Sequence, residues 1–121
     1  MIVQNFYELN VWQKAMQLTG EVYRLSRMFP KEELYALTNQ LRRAVVSIPS
    51  NIAEGQARES TSDFLRFLSI ASGSLAEVET QIQISIMLNY VPQQETLFFW
   101  HLCFDLRRML AGLKRSLRQK T

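Results

Sequence analysis

The sequence has 121 residues, of which 47% are apolar and 21% charged, and its formal net charge is +3 at pH 7. This balance is typical of one globular domain over residues 1–121. The sequence has one cysteine (Cys103) and one histidine (His101), which excludes an intrachain disulfide and zinc sites of the zinc-finger and HExxH types. No apolar run approaches the roughly 18 residues of a membrane span and no secretory signal is visible, so we expect a cytoplasmic protein without a membrane partner.

Four segments have the period of amphipathic helices. The first is predicted to begin at Asn5, whose spacing to Glu8 is that of a capping box, and to end near Met28, because Phe29-Pro30 cannot continue a helix. Its predicted core face comprises Trp12, Ala15, Met16, Thr19, Val22, Tyr23 and Ser26.

The second helix is predicted to begin at Pro30, which suits the first helical position, and to stop at Gly55. Its apolar period continues through Pro49. We therefore predict one helix that is kinked at this proline, where one backbone hydrogen bond near Val45 is missing.

The third helix is predicted to open at Ser60, which forms a capping box with Asp63, and to end near Asn89-Tyr90. The fourth is predicted to start at Pro92. Since the connections are short and no strand pattern is present, the sequence predicts an all-α fold, an antiparallel up-down-up-down four-helix bundle.

Apolar residues remain on the last two helices after the core is filled. On helix four, Leu97, Trp100 and Phe104 lie far from the main apolar stripe, and helix three has a weaker second set that includes Ile70 and Met87. A patch that contains Trp and Phe points to a homo-oligomer, unless loops fold over it.

Helix two also has a polar strip, which lies beside its apolar stripe. The strip predicts a hydrogen-bonded seam between helices or subunits, or a ligand groove, and Glu54 could pair with Arg58 or with Arg43 across a subunit boundary. In a seam, Arg43, Asn51 and Glu54 should be at least half buried and partnered. With Arg58 added, the strip comprises Gln40, Arg43, Ser47, Asn51, Glu54 and Arg58.

The end of the chain is strongly basic. Six basic residues and no acidic residue follow Asp105, whereas the first 106 residues have eight basic and eleven acidic residues. This asymmetry indicates either an acidic partner such as RNA or DNA, or a solvated helix end whose cations favour the helix dipole. The basic candidates for nucleic-acid binding are Arg107, Arg108, Lys114, Arg115, Arg118 and Lys120.

Enzyme chemistry finds little support in the sequence. The phosphate-binding patterns GxGxxG and GxxxxGK[ST] are absent, as is the Glu-x-x-His pattern of ferritin-like metal sites. Cys103 has no neighbour that would activate it. We therefore expect neither a catalytic residue nor a cofactor nor a bound metal.

Two stretches of the sequence resemble a known bacterial family. The first, 29–60, contains Phe-Pro, Gln-x-Arg-Arg and Ser-Ile-x-x-Asn-Ile-Ala-Glu-Gly, followed by Arg58; the second, 64–82, contains Phe67-Leu68, Gly73-Ser74 and Glu77. The sequence departs from the pattern at Ala36 and at Gln56-Ala57. The chain is similar to the four-helix-bundle proteins encoded in intervening sequences of 23S ribosomal RNA genes.

The resemblance implies a four-helix bundle that assembles as a ring, a pentamer. A similar bundle is the accessory protein of diversity-generating retroelements, in which a basic pentamer engages a reverse transcriptase and nucleic acid. We therefore expect a non-enzymatic homo-oligomer that binds RNA or other nucleic acid through phosphate contacts. The alternative is a protein–protein adaptor that does not bind nucleic acid.

Overall fold

The computed structural model describes residues 5–120, and the chain folds there into four long helices. They are α1 (Asn10–Ser26), α2 (Leu37–Ala57), α3 (Thr61–Met87) and α4 (Leu97–Gln119). Short 3-10 turns at Phe6–Glu8, Lys31–Glu33 and Gln93–Thr96 precede α1, α2 and α4, and residues 5–120 contain no strand. The predicted all-α class is confirmed.

The four helices enclose one apolar core. α1 packs against α2 and α4, and α3 packs against the same two helices. Fully buried side chains come from every helix, among them Leu18 of α1, Ile48 of α2, Leu68 of α3 and Phe99 of α4. This is a four-helix bundle. Across the described part of the chain, no helical stretch combines the length and the hydropathy that a bilayer crossing requires.

Polar contacts between neighbouring helices follow a reversed order along the chain. Lys14, in the first half of α1, lies 3.7 Å from Asp105 in α4, whereas Arg24, near the end of α1, donates to Glu95 just before α4 begins. Between α3 and α4, Ser72 accepts a hydrogen bond from Lys114, whereas Glu79, later in α3, pairs with Arg107, earlier in α4.

Three helices begin later than the sequence predicts; the fourth starts only at Leu97, because Pro92 opens a 3-10 turn. The side chain of Asn5 accepts a bond from Tyr7 N and so caps a 3-10 turn, and the extended Leu9 separates that turn from α1. Pro30 likewise opens a 3-10 turn, and α2 starts only after Ala36, whose φ of −124° and ψ of −104° are not helical. The prediction missed these breaks because proline and capping residues also open 3-10 turns.

The two ends of α3 agree with the prediction. Ser60 Oγ accepts a hydrogen bond from Asp63 N, as an N-cap does. At the other end Asn89 has a φ of 62°, Tyr90 N donates to Ser85 O, and Asn89 N donates to Ile86 O. These bonds form a Schellman motif, in which asparagine takes the left-handed position that glycine usually occupies.

The core face of α1 differs from the predicted one. Ala15, Val22 and Ser26 are buried as expected, but Met16 is exposed, and Trp12, Thr19 and Tyr23 are only partly buried. The core instead receives Val11, Leu18 and Leu25. The apolar stripe that faces the core is therefore the neighbouring one, offset by one residue.

The second helix continues through Pro49 without interruption, as predicted, and Pro49 is buried. It also continues past Gly55 to Ala57, so the predicted stop at Gly55 is wrong. Gly55 is buried against α3, where an added Cβ would lie 2.7 Å from Phe67 Cβ. Close helix approach, and not helix termination, explains this glycine.

Candidate functional site

A polar groove of about 240 Å³ lies between α2 and α3. It contains the first half of the predicted polar strip together with residues of α3. The lining residues are Gln40, Arg43, Ala44 and Ser47 from α2, and Ser74 and Glu77 from α3.

Hydroxyl and amide groups join the two helices at one end of this groove. The Oγ atoms of Ser47 and Ser74 are 2.6 Å apart, which is a hydrogen bond between the helices. Asn51 Nδ2 donates to Ser47 O at 2.7 Å and to Ser47 Oγ at 3.1 Å. A hydrogen-bonded seam of the predicted kind therefore exists at these three residues.

The charged residues of the groove are not paired with each other. The expectation that Arg43 is half buried and partnered is wrong for a single bundle, because Arg43 is exposed at the mouth of the groove and makes no hydrogen bond or ion pair with any residue of the described part of the chain. Glu77, on the opposite wall, is also exposed and is 3.5 Å from Gln81 Nε2. Gln81 itself is buried, and its Oε1 has no hydrogen-bond partner among residues 5–120. The groove therefore presents a cation and an anion to an incoming polar group.

The other half of the strip lies outside the groove. Arg58 donates to Glu54 at 2.7 Å, so Glu54 pairs within its own chain, which was one of the two predicted pairings. The expectation that Glu54 is at least half buried is wrong for a single bundle. Its side chain is 52% exposed, because the partner Arg58 is itself exposed and does not cover it. The Arg58 guanidinium also lies 5.0 Å from the Phe67 ring centroid.

Ser74 and Glu77 were missed as site residues, although both belong to the motifs that carry the family resemblance. Their proximity to Arg43 depends on how α3 is placed along α2. Gly55 sets that placement, since it touches Phe67 and so aligns Ser47 with Ser74. A glycine in the last turn of a helix was the available signal, had it been interpreted as a close approach.

The six basic residues at the end of the chain divide into two groups. Arg107 forms an ion pair with Glu79 of α3, and Lys114 Nζ donates to Ser72 Oγ at 3.0 Å. These two side chains tie α4 to α3. Arg108, Arg115, Arg118 and Lys120 are exposed.

Three of the exposed arginines lie on one face of α4. The spacings of three, four and seven residues keep the members of this face in line. All of its members are exposed, and its apolar half precedes its basic half. This outer face of α4 comprises Leu97, Phe104, Arg108, Ala111, Arg115 and Arg118.

The predicted apolar patch is only partly exposed. Leu97 and Phe104 are 67% and 54% exposed, and the Arg108 guanidinium lies 5.7 Å from the Phe104 ring centroid. Trp100 is half-buried: its Nε1 donates to Thr96 Oγ1 at 3.1 Å, and its ring meets that of Phe99 edge-on. Trp100 therefore packs mainly within its own bundle.

Cys103 and His101 occupy different environments on α4. Cys103 is fully buried, and this burial raises the pKa of its thiol well above the ordinary value. Its thiol therefore stays protonated and packs as a small apolar group. His101 is exposed, and its Nε2 lies 3.5 Å from Asp105 Oδ2. Residues 5–120 contain no group of three side chains placed to hold a metal ion.

Comparison with known proteins agrees with the fold and the motifs. No curated protein matches the chain. The sequence profile of a family described as 23S rRNA-intervening sequence protein matches residues 7–112. Since this match covers both the groove and most of α4, the chain belongs to the 23S rRNA-intervening sequence protein family.

Proposed function

We propose that this protein is a non-enzymatic, cytoplasmic helical bundle that forms a homo-oligomeric ring, a pentamer, and binds RNA or other nucleic acid through the outer face of α4. One observation carries the proposal. Arg108, Arg115 and Arg118 are exposed on one face of α4, and no acidic residue follows Asp105 in the sequence.

The antiparallel up-down-up-down arrangement and a bend at Pro49 are part of this proposal. The reversed order of the contacts Lys14–Asp105 and Arg24–Glu95 supports opposite directions for α1 and α4. A proline inside a helix lacks the N–H that would bond the carbonyl four residues earlier, here that of Val45, and helices bend at such points.

The oligomer is supported by the apolar half of the same face. Leu97 and Phe104 would lose exposed apolar surface in a contact between subunits. The basic half of the face would then be repeated around the ring. Several weak phosphate sites on one rigid assembly act together through their effective concentration, so that strong binding needs no sequence-specific contact.

A direct test compares two triple variants that remove the same charge. In the first, Arg108, Arg115 and Arg118 are replaced by Gln; in the matched control, Arg27, Arg43 and Arg66, which lie on other elements, are replaced by Gln. Anisotropy titration of a structured RNA should show a large loss of affinity for the first variant only. Equal affinities for the two variants, with intact oligomers by light scattering, would contradict the proposed binding face.

The second candidate function is a protein–protein adaptor. The observation that favours it is that Arg43 and Glu77, on opposite walls of the polar groove, form no ion pair within the described part of the chain. An adaptor would bind a partner's polar side chains there and would not bind nucleic acid. An oligomeric wild type that leaves RNA unbound at low salt would favour this function.

A further inference from the structure

Exposed apolar side chains are concentrated at one end of the bundle. Of the twelve large hydrophobic residues that are exposed within residues 5–120, seven lie in or beside the α1–α2 and α3–α4 connections. Their exposed fractions range from 38% for Met28 to 91% for Tyr35. We call this surface the apolar end; it comprises Met28, Leu34, Tyr35, Met87, Leu88, Leu97 and Phe98.

The two connections are held together as one platform. Tyr90 Oη donates to Glu33 Oε2 at 2.7 Å, and the rings of Tyr90 and Phe29 have centroids 5.7 Å apart. Beside them, Arg24 donates to Glu95 Oε1 at 3.0 Å and to Glu95 O at 2.9 Å. These contacts hold the two connections that carry the exposed residues against each other and against α1.

The apolar end is as large as one side of a stable protein interface. If each fully exposed residue of this size has about 200 Å² of accessible surface, as an aromatic one does, the exposed fractions of the seven residues, main chain included, correspond to roughly 800 Å². That is about the area that each partner contributes to an interface of standard size. Monomeric proteins seldom leave so much apolar surface uncovered.

The charges around the apolar end are mixed. Arg27 and Lys31 carry positive charge, and Glu32 carries negative charge, all three exposed in the same connection. With Glu33 of the same connection the positive and negative charges balance, so this mixture gives no net attraction for a polyanion such as nucleic acid or an acidic lipid surface. It is self-complementary, because a two-fold axis can bring the cations of one copy to the anion of the other.

We propose that the apolar end is a two-fold, end-to-end contact with a second copy of this chain. The contact differs from the ring contact proposed on the outer face of α4, although the two surfaces share Leu97 at their border. If the ring forms through α4, the end-to-end contact stacks two rings face to face. The end-to-end contact does not depend on nucleic-acid binding. It would therefore stand even if the protein bound no nucleic acid.

A set of four proteins separates the two contacts. The end variant carries Tyr35→Glu and Met87→Glu, the face variant carries Phe104→Glu, the third protein carries all three substitutions, and the fourth is the wild type. All three residues are more than half exposed, so each variant should keep the wild-type Tm. Light scattering at micromolar concentration measures the mass of each.

The proposal predicts that the end variant has half of the wild-type mass, whatever the ring size is. The face variant should form an end-to-end dimer of twice 14.2 kDa, and the combined variant should be a monomer of 14.2 kDa. If the end variant unfolds, Tyr35→Ser with Met87→Ser should give the same halving without adding charge.

An end variant with the wild-type mass and an unchanged Tm would overturn the proposal. Vesicles of phosphatidylcholine test the other apolar occupant. If the wild type binds these vesicles, the end variant does not, and their masses are equal, the apolar end faces lipid and the proposal is also overturned.

Discussion

A methyl group on Gly55 of α2 would lie 2.7 Å from the Cβ atom of Phe67 on α3 and 3.0 Å from the ring of Phe64. Real Cβ atoms do not approach each other so closely, and Phe67 Cβ is attached directly to the backbone of α3, so a side chain at this position must move the helix. The packing of α2 on α3, and with it the polar groove, therefore requires a residue without a side chain at position 55.

We expect Gly55→Ala to lower the free energy of unfolding by about 1–3 kcal/mol, as overpacking of a tight contact does. Urea unfolding measures this loss. The matched control is Gly73→Ala in the middle of α3, where an added Cβ meets nothing within 4 Å. Because alanine favours a helix over glycine, the control should gain roughly 0.5–1 kcal/mol. Two variants of equal stability would contradict the close contact.

Pro49→Ala should leave stability unchanged or raise it slightly. Alanine supplies an N–H to the carbonyl of Val45, and this gain offsets the packing that the buried proline ring loses. Ser50→Ala, the exposed next residue, serves as the control in the same urea experiment. A loss of more than about 2 kcal/mol, which is large for one substitution, would show that the ring is needed to shape α2.

Trp100 and Phe104 should respond to substitution in opposite ways. Trp100→Phe removes the hydrogen bond to the buried Thr96, and we expect it to cost about 1 kcal/mol of stability with no change in oligomer mass. Phe104→Glu should lower the oligomer mass while the Tm is kept, since Phe104 is 54% exposed. Light scattering and thermal unfolding of both variants check this pair. A mass loss in Trp100→Phe alone would reassign the subunit contact.

The Tyr90 phenol should make the stability of the fold decrease at alkaline pH. The hydrogen bond to the Glu33 carboxylate, assisted by burial and by the charge of Glu33, raises the pKa of the Tyr90 phenol above its ordinary value of 10.0. A pKa raised in the folded state gives a stabilising contribution that is complete below the ordinary pKa and is lost as pH rises through the folded-state value. Wild type should therefore exceed Tyr90→Phe in stability at pH 7.

The difference between these two proteins should shrink when unfolding is measured above pH 10. Glu33→Gln is the control, because it keeps the shape of the side chain and removes the charge that raises the phenol pKa. A difference between wild type and Tyr90→Phe that stays constant across this pH range would show that the hydrogen bond to Glu33 is not the cause.

The sequence predicts which segments form helices better than it predicts which face of each helix is buried in the core. Buried residues of α3 and α4 such as Val78 and Leu106 stand between charged neighbours in the sequence, so the stripe that faces the core is distinct there. On α1, two adjacent stripes are both apolar, and periodicity alone does not decide between Leu18 and Met16. The packing of α2 and α4 against α1 decides it, and that information is not local.

The candidate site was predicted to a smaller extent for the same reason. Helical spacing aligned Arg43, Ser47 and Asn51 on α2, but it contained nothing about the opposite wall of the groove. Charge counting identified the basic end of the chain, but it did not show that Arg107 and Lys114 are held by α3. The apolar end was not predicted either, because its residues come from two connections that only the fold brings together.

If the basic outer face of α4 binds nucleic acid through phosphates, the affinity must fall steeply as salt is added, and this dependence is the sharpest test of the proposed function. Wild-type protein is titrated into a labelled structured RNA at about 50 and 200 mM salt, since each neutralised phosphate releases roughly 0.7–0.9 counterions. We predict tight binding at the lower salt and a steep loss at the higher one, with a slope that flattens when Arg108, Arg115 and Arg118 are replaced by Gln. No binding at low salt by an intact wild-type oligomer would contradict the claim.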